Sequence, residues 1–271
     1  MNTPELSPAA AEGIEAEFLF QLEAGAPEPT ATQLGIATTR IGGGVALSMR
    51  NDVTDFWSKA LGFGFTEPVT ADLINEVIGF YRANHDPLAV IQVASSALPA
   101  NWEEIVAAHG LRAGGQIHKH AGRIDTLQFG SSDLRVDEIA PEQGQEWAEV
   151  MLSSFGMPLD GLADMVAATA TGSATRGFAA WDGDRIVATG NLLIQGEVAS
   201  LHAGATTAEY RGRGAQSALI ATRAKAAAAA GCQWVVSETA VTGPSLNNMR
   251  RAGLRTLYTR QNWIWKASPV D

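Results

Sequence analysis

The chain has 271 residues, 46% of them apolar and 18% charged, with one cysteine and a formal net charge of −10. That length supports two domains with real cores, and the single Cys232 excludes an intrachain disulfide. No apolar run is long enough to span a bilayer, no signal-like segment opens the chain, and the negative charge argues against general nucleic-acid binding, so a cytoplasmic protein is expected.

Ser7-Pro8 reads as a helix start, with helical spacing from Ala11 to Leu22 and a stop between Gly25 and Pro29. Gly35 to Arg40 and Gly44 to Met49 read as a hairpin around Gly42-Gly43. Asp52 to Leu61 and Thr70 to Ala83 read as helices. In the second, Leu73, Ile74, Val77, Ile78 and Tyr81 share one face, the spacing of a helix laid on a core. Leu88 to Val93 suits a buried strand. Asn101 to His109 reads as a helix and Gln116 to His120 as a strand. His118 and His120 share a strand face, which suits a metal in principle, but no nearby Cys or acid completes a ligand set, and no metal is expected. Cys232, at the start of a buried strand, reads as core.

Leu127 to Asp133, with Gly130-Ser131-Ser132, is the best boundary, giving domains 1–130 and 131–271. Beyond it come a strand (Leu134 to Ile139), two helices (Pro141 to Ser154 and Leu159 to Ala170) and a hairpin (Arg176 to Trp181, Arg185 to Leu193) across Asp182-Gly183-Asp184. A strand from Glu197 to Thr206 feeds a glycine loop, a long helix (Gly214 to Ala230), a strand (Gln233 to Glu238), a helix (Gly243 to Ala252) and a closing strand (Leu254 to Trp265).

The glycine loop is an anion site. Gly212 and Gly214 permit backbone conformations closed to other residues. The first N–H groups of the next helix lack internal partners, and Arg211 and Arg213 add charge. Between Arg211 and Arg260 stand eight Lys or Arg against the one acid Glu238, while the rest of the chain carries eleven against twenty-eight. A solvated basic face would explain this, and a phosphate-bearing cofactor would also explain its location. A nucleoside-triphosphate loop is excluded, for no Gly-Lys-Ser/Thr follows. A dinucleotide fingerprint would read Gly212-x-Gly214-x-x-Ser217 with Glu238 on the ribose, yet its third glycine is Ser217 and the preceding strands are antiparallel.

The third reading is coenzyme A. Arg211-Gly212-Arg213-Gly214-Ala215-Gln216 resembles the Arg/Gln-x-x-Gly-x-Gly/Ala signature of the GNAT superfamily of N-acetyltransferases, departing at Gln216, which replaces a small residue. Asn248-Met249-Arg250-Arg251-Ala252-Gly253-Leu254 is similar to that family's helix-to-strand segment, and the order of elements over Leu134 to Lys266 follows the family's. Ile105 to Arg112 echoes Met249 to Arg255, with Gly-Leu-Arg shared, so the first half resembles a degenerate GNAT domain without the glycine loop.

The resemblance implies an α/β (α+β) fold with a mixed, mostly antiparallel sheet flanked by helices in two GNAT-like halves. It implies acetyl-CoA as acyl donor and a small amine as acceptor, with no metal, nucleic acid or membrane partner. Gly204, Ala205 and Thr206 would line the pantetheine arm, and the Ala205 N–H would hold the oxyanion. Arg211, Gly212, Arg213, Gly214, Ala215, Gln216 and Ser217 would surround the pyrophosphate, and Asn248 would bond the pantetheine or cap a turn. Glu238 is the candidate base, or else a partner of Arg250 or Arg251, and His202 the alternative base or a packed strand residue. The family's frequent tyrosine acid falls near Met249, which cannot donate a proton; Tyr210 and Tyr258 are the other tyrosines of this half. A non-catalytic acetyl-CoA sensor or scaffold is the competing reading.

Overall fold

Helix α1 (Pro8–Ala24) begins at the expected cap, with the Ser7 hydroxyl accepting the Ala10 N–H at 3.2 Å. The computed structural model describes residues 6–173 and 175–267, and the chain forms two compact units. One contains the chain up to Ala24, Ala31–His118 and the chain from Tyr258; the other contains Gly25–Thr30 and Lys119–Leu257.

Helix α1 stops before Gly25, as expected, and a short helix α2 (Glu28–Leu34) that the sequence reading did not foresee follows. Pro29 fits there because the first turn of a helix does not need its N–H. The hairpin of β1 (Ile36–Ile41) and β2 (Gly44–Met49) turns at Gly42-Gly43, as expected. Asp52 to Leu61, however, is not a helix. The Asp52 carboxylate accepts the N–H groups of Thr54, Phe56 and Trp57 at 2.7, 2.7 and 2.8 Å, which closes a compact turn instead, and Asp55 takes φ 56°. The chain leaves this turn extended as β3 (Lys59–Leu61), antiparallel to β2.

Helix α3 (Ala71–Ala83) buries the predicted face, Leu73, Ile74, Val77, Ile78 and Tyr81, each side chain contributing roughly 1.5–3 kcal/mol. It returns the chain to β4 (Leu88–Gln92), which pairs in parallel with β3. Helix α4 (Trp102–Ala108) leads into β5 (Arg112–Arg123).

The second unit continues with β6 (Arg135–Glu138), α5 (Gly144–Phe155), α6 (Leu162–Ala170), β7 (Thr175–Asp182), β8 (Arg185–Gln195) and β9 (Val198–Thr206). Then come α7 (Ala215–Ala229), β10 (Trp234–Ala240), α8 (Pro244–Arg251) and β11 (Arg255–Lys266), whose residues from Tyr258 on belong to the first unit. Its strands neighbour one another in the order β5-β10-β9-β8-β7-β6. The pairings β6–β7, β7–β8 and β8–β9 are antiparallel, and β9–β10 is parallel across α7.

One face of this sheet packs Phe178, Leu192, Leu201 and Val235 against Leu219, Ile220 and Ala224 of α7 and Met249 of α8. Helix α5 packs on β8 and β9; its Trp147 Nε1 donates to the Phe178 carbonyl at 2.7 Å. In the first unit, β11 pairs antiparallel with β4, and β11 fastens α1 through a buried cation. Arg260 Nη1 lies 2.5 Å from Glu12 Oε2 and Nη2 lies 2.9 Å from Glu15 Oε1, all three side chains being buried. Breaking such a pair leaves an uncompensated buried charge, at a cost of about 3–5 kcal/mol.

Each unit therefore holds a parallel strand pair joined by a crossover helix, β3-α3-β4 and β9-α7-β10, followed by a further helix and a long strand. Strands β5 and β11 carry residues of both units, so the two interleave along the sequence rather than meeting at one point.

Candidate active site

Strands β9 and β10 pair only from Val198↔Trp234 to Leu201↔Ser237, yet β9 runs on to Thr206 and β10 to Ala240. Beyond Leu201 the two strands part. The register of β9 with β8 also shifts between Thr189 and Asn191, and Ala203 takes φ 51°, the marks of a bulge that bends β9. The edge of β9 that turns from β10 carries Gly204, Ala205 and Thr206. Its backbone groups on that side have no pairing with β10, an arrangement that suits an extended ligand arm laid as a third strand.

The loop that follows points a helix start toward this opening. Gly212 and Gly214 take φ 83° and 79°, and Gly214 is the N-cap of α7 with no side-chain cap. A Cβ on Gly214 would stand 2.5 Å from the Ser131 carbonyl oxygen, so the position admits no side chain. The first backbone bond of the helix runs from the Ala218 N–H to the Gly214 carbonyl at 3.0 Å. The N–H groups of Ala215, Gln216 and Ser217 accordingly have no carbonyl partner within the helix and, with the dipole, favour an anion. Left-handed glycines, uncapped amides and a parted strand edge together fit a pyrophosphate-bearing thioester carrier.

The side chains of the loop divide the work. Arg211 is exposed, with Nε donating to the Thr206 carbonyl at 3.3 Å. Arg213 is held by carboxylates: Nη2 lies 2.6 Å from Asp133 and Nη1 3.8 Å from Asp182, while its guanidinium stands 5.1 Å from the Tyr210 ring. That contact lowers the Asp133 pKa below the usual carboxylate value. Ser132 adds a hydroxyl bond to the Arg213 carbonyl at 2.8 Å. Gln216 turns to the strands, donating Nε2 to the carbonyl of Ala205 at 2.6 Å and that of Thr189 at 3.2 Å.

A cavity of about 310 Å³, lined by Gln128, Phe129, Gly130, Ser217, Arg251 and Ala252, adjoins the first turn of α7. The cationic run from Arg211 to Arg260 is less of a surface cluster than its sequence implied. Arg223 and Arg260 are buried, and Arg251 donates to the Asn248 side chain.

One step past the last β9–β10 pair, Glu238 and His202 stand at matching positions on parallel strands. Val235 and Ala199, partners in register, pack on the α7 side, so by alternation Val236 and Glu238 face the opposite side with Ser200 and His202. The His202 ring nitrogen Nε2 lies 2.6 Å from Ser200 Oγ. Asn191, the β8 partner of His202, is buried on that side, and its Oδ1 has no hydrogen-bond partner. Sequence reading missed Asn191 because a lone Asn in a strand carries no pattern.

Met249 lies in the core. The Tyr210 hydroxyl donates to Asp182 at 2.8 Å and that of Tyr258 to Glu12 at 2.7 Å. His118 and His120 bond threonines instead of forming a ligand set: His118 Nδ1 lies 2.9 Å from Thr259 Oγ1, and His120 Nε2 lies 2.9 Å from Thr239 Oγ1. Among the described residues, no group of three or more His, Cys, Asp or Glu is placed to hold a metal, and no helix is long and apolar enough to cross a membrane. Cys232 is buried, and burial raises its thiol pKa.

The parted parallel pair and the glycine loop at the start of its crossover helix lie in the part of the chain that matches the acetyltransferase class. Residues 126–237 match the family model of the acetyltransferase (GNAT) domain, so this part of the chain is similar to a GNAT acetyltransferase domain.

The fold is similar to that of a GCN5-related N-acetyltransferase from Kribbella flavida, with TM-score 0.61 and 15% identity over 91% of this chain and 96% of that one. It is also similar to a tandem GNAT protein from the clavulanic acid biosynthesis pathway, with TM-score 0.61 and 15% identity over 96% of each chain. A GCN5-related N-acetyltransferase from Sphaerobacter thermophilus gives TM-score 0.59 and 15% identity over 97% of this chain and 95% of that one. No curated protein sequence matches the chain.

Proposed function

We propose that the protein transfers an acetyl group from acetyl-CoA to the amine of a small acceptor. The observation that carries this reading is the loss of β9–β10 pairing after Leu201 and Ser237 beside the uncapped start of α7. The pyrophosphate rests on the amides from Gly212 to Ser217 with Arg211 alongside, and the pantetheine arm follows Gly204, Ala205 and Thr206. The amine nitrogen attacks the thioester carbonyl, the C–N bond forms, the C–S bond breaks, and the Ala205 N–H holds the oxyanion. Glu238 takes the amine proton directly or through one water, with His202 as the alternative base; the thiolate leaves as the thiol after taking a proton from solvent or from the substrate. Asn248, whose Oδ1 accepts from Arg251, would offer its side-chain amide to the pantetheine.

Met249 in the core, with the Tyr210 and Tyr258 hydroxyls both given to carboxylates, favours a second reading, an acetyl-CoA sensor or scaffold without turnover. Calorimetric titration with CoA and thiol release from acetyl-CoA over an amine panel separate the two. Binding with amine-dependent thiol release supports the enzyme, binding without release supports the sensor, and no binding defeats both.

A further inference from the structure

Helix α7 carries a charge that the anion loop does not use. Arg223, nine residues on from Gly214, is 1% exposed. Its Nε donates to the Leu219 carbonyl at 3.1 Å, and its Nη1 donates to the carbonyls of Asn191 and His202 at 3.0 and 3.1 Å. Burial pulls its pKa down, to about 9. A buried cation held only by carbonyls is a costly way to fill a core position that leucine or methionine could fill. Something in the position must require the hydrogen-bond donors.

That something is the bulge. The β8–β9 register slips between Thr189 and Asn191, and Ala203 turns to φ 51°, so strand pairing is interrupted beside the Asn191 and His202 carbonyls. The guanidinium reaches them through the space left by Gly190, where a Cβ would stand 2.5 Å from Arg223 Cζ. An arginine and a glycine far apart in sequence thus form one device at the point where β9 begins to diverge from β10.

We propose that Arg223 is a positioning residue that holds this bulge open and so sets the path of Gly204, Ala205 and Thr206, the strand edge offered to the acyl carrier's arm. The proposal rests on the acetyl-CoA reading given above. Without the donors, two buried carbonyls regain partners only by closing the bulge, which draws the edge back toward regular pairing.

The test is CoA affinity by calorimetry on the full chain, well below the melting temperature, with KM for acetyl-CoA where turnover is found. Arg223→Met keeps the volume and removes the donors; it should weaken CoA by roughly 10-fold or more, the scale of lost hydrogen bonds from a charged group, and raise KM. Arg223→Lys should recover part of the loss. Gly190→Ala, which keeps Arg223 but forces its guanidinium aside, should show a similar defect, and adding Arg223→Met to it should cost little more. A merely structural role would lower the melting temperature and the active fraction while leaving Kd and KM unchanged, and that outcome overturns the proposal. If Arg223→Met does not fold, wild-type affinity in both Arg223→Lys and Gly190→Ala overturns it equally. Wild-type protein that binds no CoA defeats the acetyl-CoA reading and the proposed purpose of the prop together; wild-type binding with unchanged variants defeats the prop alone.

Discussion

Gln216 Nε2 donates to the Ala205 carbonyl at 2.6 Å, tying the first turn of α7 to the strand edge that the cofactor arm would follow. The residue that departs from the glycine-loop signature is therefore a brace between α7 and β9, and it also reaches Thr206 Oγ1 at 3.1 Å. Gln216→Ala should destabilise the fold by about 1–3 kcal/mol, the sum of a few net hydrogen bonds, and should weaken CoA. Urea unfolding and calorimetry read the two effects; tighter CoA binding in the variant would mean that Gln216 crowds the phosphate instead.

The two loop arginines should behave differently. Arg213 is already engaged by Asp133 and Asp182, whereas Arg211 donates to the Thr206 carbonyl and, among the described residues, meets no carboxylate. Arg211→Glu should therefore weaken CoA by roughly 10- to 100-fold, the scale of a lost charge-assisted contact. Arg213→Ala should change affinity only a few-fold and act through the anchoring of the loop to the 131–133 segment. Equal losses would show that Arg213 leaves its carboxylates to meet the phosphate.

One CoA should bind per chain. At the corresponding crossover helix of the first unit, Thr70 caps α3, its hydroxyl accepting the Leu73 N–H at 3.1 Å, so part of the anion-binding capacity is already used. Helix α7 has no such side-chain cap. A titration with two equivalent sites would contradict the asymmetry.

Glu238→Gln should lower turnover by roughly 10²–10⁴-fold, the usual worth of a positioned base, with CoA affinity nearly unchanged. His202→Ala is the control, since the two residues share a face and a register level. Full activity in Glu238→Gln with loss in His202→Ala would pass the role to His202.

Burial raises the pKa of Glu23 in α1 well above its ordinary value, against a smaller lowering by Lys59. The folded state then holds a proton that the unfolded state has lost, so this residue subtracts stability as pH rises from the ordinary carboxylate value to the raised one. Below that window both states are protonated and the penalty is absent. Unfolding free energies measured against pH should show this slope in the wild type and not in Glu23→Gln; parallel curves would refute the assignment.

Much of this protein is local and was therefore legible in its sequence. The spacing of Leu73, Ile74, Val77, Ile78 and Tyr81 marks α3 because a helix repeats its face every 3.6 residues, and Asp182-Gly183-Asp184 marks its hairpin because the turn needs a positive φ. The glycines before α7 mark a left-handed loop and an uncapped helix start for the same reason: both are properties of a few adjacent residues. What depends on partners distant in sequence was decided only by the tertiary structure. Asp52 took the amides of its own segment and left β3 free to join a sheet, and Arg213 found Asp133, eighty residues away. Likewise, Arg223 required a glycine in another strand. Such side-chain bonds have no periodicity to betray them, because their geometry exists only once the strands have chosen their neighbours.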